Sequence, residues 1–196
     1  MQKTVEFFFD FGSPYTYLAY HELRRIAEKR GAQIAWRPIL LGGVFQATGN
    51  HSPAEIPAKA KHLDVDMQRW ARAYGVPFSM NPHFPINTLA LMRGAVAMQQ
   101  RGEKPFHRYL AAMFSAMFEK PRNLNNPAEI GAVLAEAGFD PMECMQAIQE
   151  PAVKDALKAA TAEAVARGVF GVPTIFVGED MYWGQDRLHF VDAALT

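Results

Sequence analysis

The sequence predicts an α/β fold carrying an inserted all-helical domain, and three observations predict it. Strand-like runs occur only near the two ends of the 196-residue chain, helix signals recur between them, and no repeat, low-complexity tract or linker marks off a second unit. Val5 to Phe9 is nearly continuous apolar sequence of strand length, the pattern of a central strand covered on both faces. Gly12 breaks it, and Ser13-Pro14 then offers a serine N-cap with proline at the first helical position. The helix so begun runs toward Gly31, with Ala19, Leu23, Ile26 and Ala27 at helical spacing. Gln33 to Arg37 reads as a second strand stopped by Pro38, completing a βαβ unit whose strands should be parallel and its crossover right-handed.

From about Leu40 to about Ala164 no strand run of comparable quality appears. Phe106, Tyr109, Leu110, Met113, Phe114 and Met117 form the strongest helical stripe, at i, i+3, i+4, i+7, i+8 and i+11. Asn126-Pro127 and Asp140-Pro141 are two further helix starts, with Gly138 as a stop between them. After Gly168 the strand pattern returns: Thr174 to Val177 and Met181 to Trp183 read as strands and Asp186 to Leu195 as a closing helix. The expected division is therefore a discontinuous α/β domain of residues 1–40 and 165–196 around a helical insertion of residues 41–164.

Composition narrows the function. With 49% hydrophobic residues the chain can bury roughly 70% of the surface its unfolded form exposes, so it needs no staples. Lys+Arg and Asp+Glu both number 20, which leaves no basic field to draw in nucleic acid or acidic lipid. Small molecules or a second copy of the chain are the expected partners. The segment MQKTVEFFFDFGSP is too short and too charged for a signal-peptide core, and no stretch approaches the ~18 apolar residues of a membrane span. A single cysteine, Cys144, rules out an internal disulfide, and the expected location is a reducing cytoplasm.

Few residues are placed for chemistry by spacing alone. His21, His51, His62, His83, His107 and His189 are scattered, none pairs with another at i+3 or i+4, and no metal is expected. Neither a GxSxG elbow nor a phosphate-binding glycine loop occurs. Cys144 is surrounded by Met142, Met145 and Ile148, where a thiol behaves as a small apolar group. Ser13 stands at a helix N-terminus, whose unpaired N–H groups and partial positive charge favour an anion such as a thiolate. It could equally be an N-cap and nothing more, and spacing does not separate the two.

The N-terminal FFFDFGSPYTYLA and the C-terminal GVFGVPTIFVGEDMYWGQDRLHFV resemble the two end blocks of the 2-hydroxychromene-2-carboxylate isomerase family. That family is related to kappa-class glutathione transferases and, through an inserted helical domain, to the disulfide oxidoreductases. Between these blocks, RPILLGGVFQATGNHSPAEIPAKAKHLDVDMQRWARAYGVPF and NPHFPINTLALMRGAVA resemble the family's middle region, so four ordered motifs span nearly the whole chain. The resemblance implies a thioredoxin-like fold with an inserted all-helical domain and glutathione as cofactor.

Residue by residue, it places Ser13 where redox relatives carry the first cysteine of a CxxC pair, its hydroxyl bonding the glutathione sulfur. Val172-Pro173 takes the cis-proline position, where the Val172 backbone pairs with the cysteinyl backbone of glutathione like an added strand. Asn50, in GNHSP, matches an asparagine that holds glutathione, although a plain loop role is open to it. Gln185 and Asp186 match the pair that receives the γ-glutamyl end, with the Asp186 carboxylate facing its ammonium; alternatively Asp186 caps the last helix. Trp183 and Gly184 precede them and line the same pocket.

The implied reaction is glutathione-dependent cis–trans isomerisation between 2-hydroxychromene-2-carboxylate and trans-o-hydroxybenzylidenepyruvate in the catabolism of naphthalene-type aromatics. Thiolate addition to the open cis-enone makes the double bond single, rotation follows, and elimination returns the thiol. The aromatic carboxylate substrate would lie between the glutathione site and the helical insertion, against Phe, Met and Trp side chains, although core packing is the expected role of most of these. Its carboxylate needs a cation, for which Arg37, Lys59, Lys61 and Arg187 are equal candidates. A homodimer is the expectation the family brings. Two other readings stay open: a kappa-like glutathione transferase or peroxidase, and a non-catalytic thioredoxin-fold binding protein with no need of Ser13, Asn50 and Asp186 together.

Overall fold

Phe7, Phe8 and Phe9 alternate across strand β1 (Thr4–Phe9), so a single strand feeds two hydrophobic layers. The structure, a computed structural model describing residues 3–196, buries all three at 1% exposure or less. Met1 and Gln2, with which the expected first segment begins, lie outside the described residues. Helix α1 (Pro14–Arg30) and strand β2 (Gln33–Pro38) follow, and β2 runs parallel to β1 with Val5 opposite Ile34. From the far end of the chain, β3 (Thr174–Val177) pairs antiparallel with β1, and β4 (Asp180–Trp183) pairs antiparallel with β3. The order β2-β1-β3-β4 places β1 inside the sheet, and that is why its sequence is apolar almost without alternation.

Between β2 and β3 the described residues form helices α2 (Leu41–Thr48), α3 (Pro57–Tyr74), α4 (Leu89–Arg101), α5 (Glu103–Phe118), α6 (Pro127–Glu136), α7 (Pro141–Ala147) and α8 (Pro151–Ala166). Local chemistry sets several ends. Ser13 caps α1, Asn126 caps α6 and Asp140 caps α7, each accepting from backbone N–H groups of the first turn, and each is followed by proline. The α5 stripe from Phe106 to Met117 is wholly buried.

The end of the chain departs from the single closing helix expected over Asp186 to Leu195. A 3₁₀ turn, Gln185–Arg187, comes first, and helix α9 (Leu188–Ala194) begins only after it. Gly184, with φ at 97°, turns the chain out of β4, and its N–H is tied to the Pro173 carbonyl at 3.0 Å, so the backbone is not free to start a helix at Asp186.

One hydrophobic layer holds Phe7, Phe9 and Phe11 against α1, α4 and α5 and continues through the helical segment. Within it the Phe114 ring lies 4.8 Å from Phe11 and 4.7 Å from Tyr20. Met67, Met92, Met98, Met113 and Met117 are buried here as packing groups. On the other face of the sheet, Phe8, Ile39, Val44, Val169, Val172 and Phe176 make a smaller layer. Among the described residues, no helix is long and apolar enough to cross a membrane.

The turn from β1 into α1 is organised around Asp10, which is 0% exposed. Its carboxylate accepts from the Gly12 N–H and the Leu41 N–H, both at 2.8 Å, and from the Thr88 side chain. Burial pushes the acid's pKa up while these donors pull it down. Asp10→Ala strips three donors of their shared acceptor and should cost about 3 kcal/mol. Asp10→Asn, which keeps one carbonyl oxygen, should cost less. Urea unfolding of the three proteins checks the order, and a loss below about 1 kcal/mol in the alanine variant would show the donors to be satisfied elsewhere.

His21 on α1 lies edge-on to Tyr17 and Tyr20, and burial followed by the Arg24 and Arg25 guanidinium groups pushes it down to about 4 from the usual 6.5. The folded chain thus keeps the imidazole neutral where the unfolded chain protonates it. Stability linked to His21 is complete above about pH 6.5 and drains away as pH falls toward 4, with a slope of at most about 1.4 kcal/mol per pH unit. His21→Gln should flatten the melting temperature of the protein across that window relative to the parent.

Candidate active site

The N-terminus of α1 opens into a cavity of about 1070 Å³ at the end of the sheet. Ser13 is nearly buried there and makes two contacts of different kinds. Its Oγ accepts from the Thr16 N–H at 3.2 Å, which is the N-cap bond. Its hydroxyl donates to the Val172 carbonyl at 3.3 Å, across to the opposite end of the chain. Capping and facing the cavity are therefore compatible: the oxygen that satisfies the helix also carries a proton toward the cavity wall.

That opposite wall is the loop Phe170 to Pro173, with a cis peptide at Val172-Pro173. Val172 is anchored in the smaller hydrophobic layer, and the Thr174 hydroxyl holds the Gly171 carbonyl at 2.7 Å. Asn50 follows Gly49, which ends α2 in the left-handed conformation at φ 70°. Its Nδ2 donates to the Phe170 carbonyl at 2.8 Å and its Oδ1 accepts from the His51 N–H at 2.9 Å. Each end of the amide keeps unused capacity, one N–H and one lone pair, toward a ligand.

Trp183, Gly184, Gln185 and Asp186 form the third side. The Trp183 ring stands 5.2 Å from that of Phe170, and the two make a half-exposed aromatic rim. Gln185 is buried, and its backbone carbonyl accepts from the Tyr74 hydroxyl at 2.6 Å. Asp186 does not act as a helix cap, since neither the 3₁₀ turn nor α9 has a side-chain capping bond. Its carboxylate instead accepts from Arg187 Nη1 at 3.0 Å, and the same nitrogen donates to the Trp183 carbonyl at 3.1 Å.

Ser13, Asn50, Val172, Trp183, Gly184, Gln185 and Asp186 all line this one cavity. The four candidate cations do not. Lys59 and Arg187 face it, whereas Arg37 is held by Glu6 at 2.7 Å and, like Lys61, is not among the lining residues. Among the described residues Lys59 has no ion-pair partner. Met67, Met92, Met98, Met113 and Met117 are core, the role expected of most such side chains, and the apolar lining comes from Leu41, Phe45, Ile56, Leu63, Trp70 and Phe84. Cys144 lies in α7 outside the cavity, and burial pushes its thiol up. No group of three His, Cys, Asp or Glu that could hold a metal is found among the described residues.

Tyr15, Leu63, Asp66 and Trp70 escaped the sequence reading, which names Lys59 as a candidate cation. Tyr15, two positions after Ser13, has its phenol pushed up by burial and then by the Asp66 and Asp186 carboxylates, so it stays a donor at neutral pH. Lys59, Leu63, Asp66 and Trp70 stand at i, i+4, i+7 and i+11 on α3 and face the cavity together. That helical stripe, mixing charge with aromatic and aliphatic groups, was the available signal. The cavity thus carries both signs, with Glu55, Asp66 and Asp186 opposed to Lys59 and Arg187, beside an apolar wall. Such a surface suits a zwitterionic peptide bound next to an aromatic group.

The family model of the DSBA-like thioredoxin domain matches residues 4–196. A protein from Sphingobium xenophagum named 2-hydroxychromene-2-carboxylate isomerase is 32% identical over 200 residues, covering 100% of this chain and 99% of its own. The glutathione S-transferase kappa 1 of Homo sapiens is 25% identical over 207 residues, covering 97% of this chain and 90% of its own. A solved selenomethionine structure of a 2-hydroxychromene-2-carboxylate isomerase superposes with a TM-score of 0.87 at 30% identity, covering 98% of this chain and 94% of that one.

Gly184 is required by the turn that presents Asp186. Its φ is 97°, and an added Cβ would stand 2.5 Å from Asp186 Oδ1 and 3.0 Å from Arg187 Nη1. Gly184→Ala should therefore lower unfolding stability by about 1–3 kcal/mol through backbone strain and push the Asp186–Arg187 pair aside. Denaturant titration reads the first effect, and a cost under 0.5 kcal/mol would mean that the turn relaxes freely.

Proposed function

This chain belongs to the DSBA-like thioredoxin domain family, within which it is kin to the 2-hydroxychromene-2-carboxylate isomerases, and from that premise we propose that it is a glutathione-dependent cis–trans isomerase. The substrate pair would be 2-hydroxychromene-2-carboxylate and trans-o-hydroxybenzylidenepyruvate. The observation that carries the reading is the meeting of the Ser13 hydroxyl, at the N-terminus of α1, with the Val172 carbonyl inside a cavity of mixed charge. The isomerase relative matches more closely than the kappa transferase, at 32% against 25% identity, which favours isomerisation over conjugation.

In this reading glutathione lies along the Val172-Pro173 loop with its cysteinyl backbone paired to Val172. Its sulfur faces Ser13 and the first turn of α1, and its γ-glutamyl ammonium meets Asp186 in place of the Arg187 guanidinium. Ser13 then turns its proton from the Val172 carbonyl to the sulfur without surrendering the N-cap bond, because Oγ accepts with one lone pair and donates independently. A free thiol of pKa about 8.5 is only ~3% ionised at pH 7, and making the thiolate the main species takes about 2 kcal/mol or more, which a hydrogen bond to a charged group, ~1.5–3 kcal/mol, and the helix terminus, ~0.3–1 kcal/mol, supply together.

Chemistry follows from placement. The thiolate adds to the β-carbon of the open cis-enone, and the electron pair moves to the carbonyl oxygen. The former double bond rotates, and collapse of the enolate expels the thiolate and leaves the trans-enone. No atom is gained or lost, so glutathione is regenerated. Lys59 is positioned to hold the substrate carboxylate, and the Phe45–Trp70–Phe84 wall to hold its ring. Lowering the thiol pKa also lowers its nucleophilicity, with a Brønsted slope of ~0.4–0.5, so ionisation alone gives only a few-fold rate gain. Positioning the sulfur must supply the larger share.

Two measurements test this. Glutathione at a hundredfold excess over its dissociation constant should stabilise the protein by ~2.7 kcal/mol, seen as a rise in melting temperature; no shift at millimolar glutathione removes the cofactor. The ultraviolet spectrum of 2-hydroxychromene-2-carboxylate should change with the protein only when glutathione is present. Ser13→Ala should slow that change about 10²–10³-fold while losing only ~1 kcal/mol of cap stability. The deficit should persist at a pH well above the free-thiol pKa; full recovery there would leave Ser13 a pKa effect and no positioning role.

A further inference from the structure

Asp186 borders open space on two sides. In front of it lies the large cavity, and behind it a second one of about 320 Å³, to which Trp70, Tyr74, Asp186 and His189 contribute. Gln185 is buried and packing against α1 and α9 holds the inner side of the turn, whereas Asp186, which borders both cavities, takes its place from the bonds that hold its neighbours. On the sheet side these are the Gly184 N–H to the Pro173 carbonyl at 3.0 Å and Arg187 to the Trp183 carbonyl at 3.1 Å. Both tie the turn to its own strand pair. From the helical segment one hydrogen bond reaches across as a strut among the described residues, the Tyr74 hydroxyl donating to the Gln185 carbonyl at 2.6 Å.

Tyr74 is itself well held. It is the last residue of α3, its carbonyl accepts from Arg25 of α1, and its ring lies 5.3 Å from that of Trp70, one turn earlier. Burial, with the Glu22 and Asp186 carboxylates nearby, pushes the phenol up to about 12, so it remains a donor at any assay pH. The strut thus links α1, α3 and the turn, and its end point is the residue adjoining Asp186.

We propose that Tyr74 is a positioning residue for the γ-glutamyl end of glutathione: by holding the Gln185 carbonyl it sets the place of the Asp186 carboxylate between the two cavities. The inference rests on the glutathione reading above. It brings the C-terminal end of α3 into cofactor recognition through a residue that does not itself line the large cavity.

The test is calorimetric titration of glutathione into four proteins, the parent, Tyr74→Phe, Asp186→Asn and the double variant, together with the isomerase kinetics of the first two. Tyr74→Phe should raise the glutathione dissociation constant and KM about five- to tenfold while kcat at saturating glutathione stays within about twofold. In the Asp186→Asn background the same change should have less than about a twofold effect, because the carboxylate it positions is gone. If the parent binds no glutathione, the cofactor reading fails and this proposal with it. If the parent binds and Tyr74→Phe binds equally well, or the two changes multiply independently, the proposal alone is overturned. A Tyr74→Phe chain that does not fold would make Tyr74 a structural residue and overturn it too.

Discussion

Asp10 accepts from Gly12, Leu41 and Thr88 while wholly enclosed, and through this shared acceptor three separate segments meet behind the cavity. Burying a carboxylate is expensive, and only multiple donors offset the loss of water. The arrangement is consequently over-determined: the β1–α1 turn, the start of α2 and the entry to α4 cannot shift separately without orphaning a buried group. Ser13 begins its helix directly after Gly12, and Asn50 ends the segment that starts at Leu41. Both therefore take their places from the same carboxylate.

The facing wall is rigid for a different reason. Val172 is packed in the smaller core layer, Thr174 clamps Gly171, and Asn50 clamps Phe170, so the loop that meets Ser13 is held by both apolar contact and hydrogen bonds. The 3.3 Å contact between the Ser13 hydroxyl and the Val172 carbonyl closes the gap between two walls that are each fixed independently. A group held this way loses little freedom on meeting a ligand, which is what precise placement of a bound group requires.

Stiffness falls off toward the other end of the cavity. The Gly184–Arg187 turn presents Asp186 to two cavities and carries an internal ion pair, Asp186 with Arg187, whose side chains are 40% and 46% exposed. An exposed pair of this kind is weak and easily exchanged for a ligand's charges. The site thus joins a rigid end suited to chemistry to an adjustable end suited to recognition.

How much of this was legible follows from the range of the forces involved. Strand β1, the caps at Ser13, Asn126 and Asp140 and the α5 stripe were readable because capping and periodicity act over a few neighbouring residues. The resemblance named residues in separate segments, from Ser13 and Asn50 to Val172 and Asp186, but sequence alone had no means of ranking Arg37, Lys59, Lys61 and Arg187. Their difference is one of place: Arg37 is spent on Glu6 of the neighbouring strand, while Lys59 faces the cavity from α3. Asp66 and Trp70 were missed because an amphipathic stripe looks the same whether it packs on a core or lines a cavity. The late start of α9 likewise depended on a bond from Gly184 to Pro173 that no local rule contains. The sequence by itself determined the strands, the capped helix starts and the side chains available for chemistry. Only the tertiary structure decided which of them share a cavity, because Ser13 and Val172 are 159 residues apart and meet only when the sheet brings both ends of the chain together.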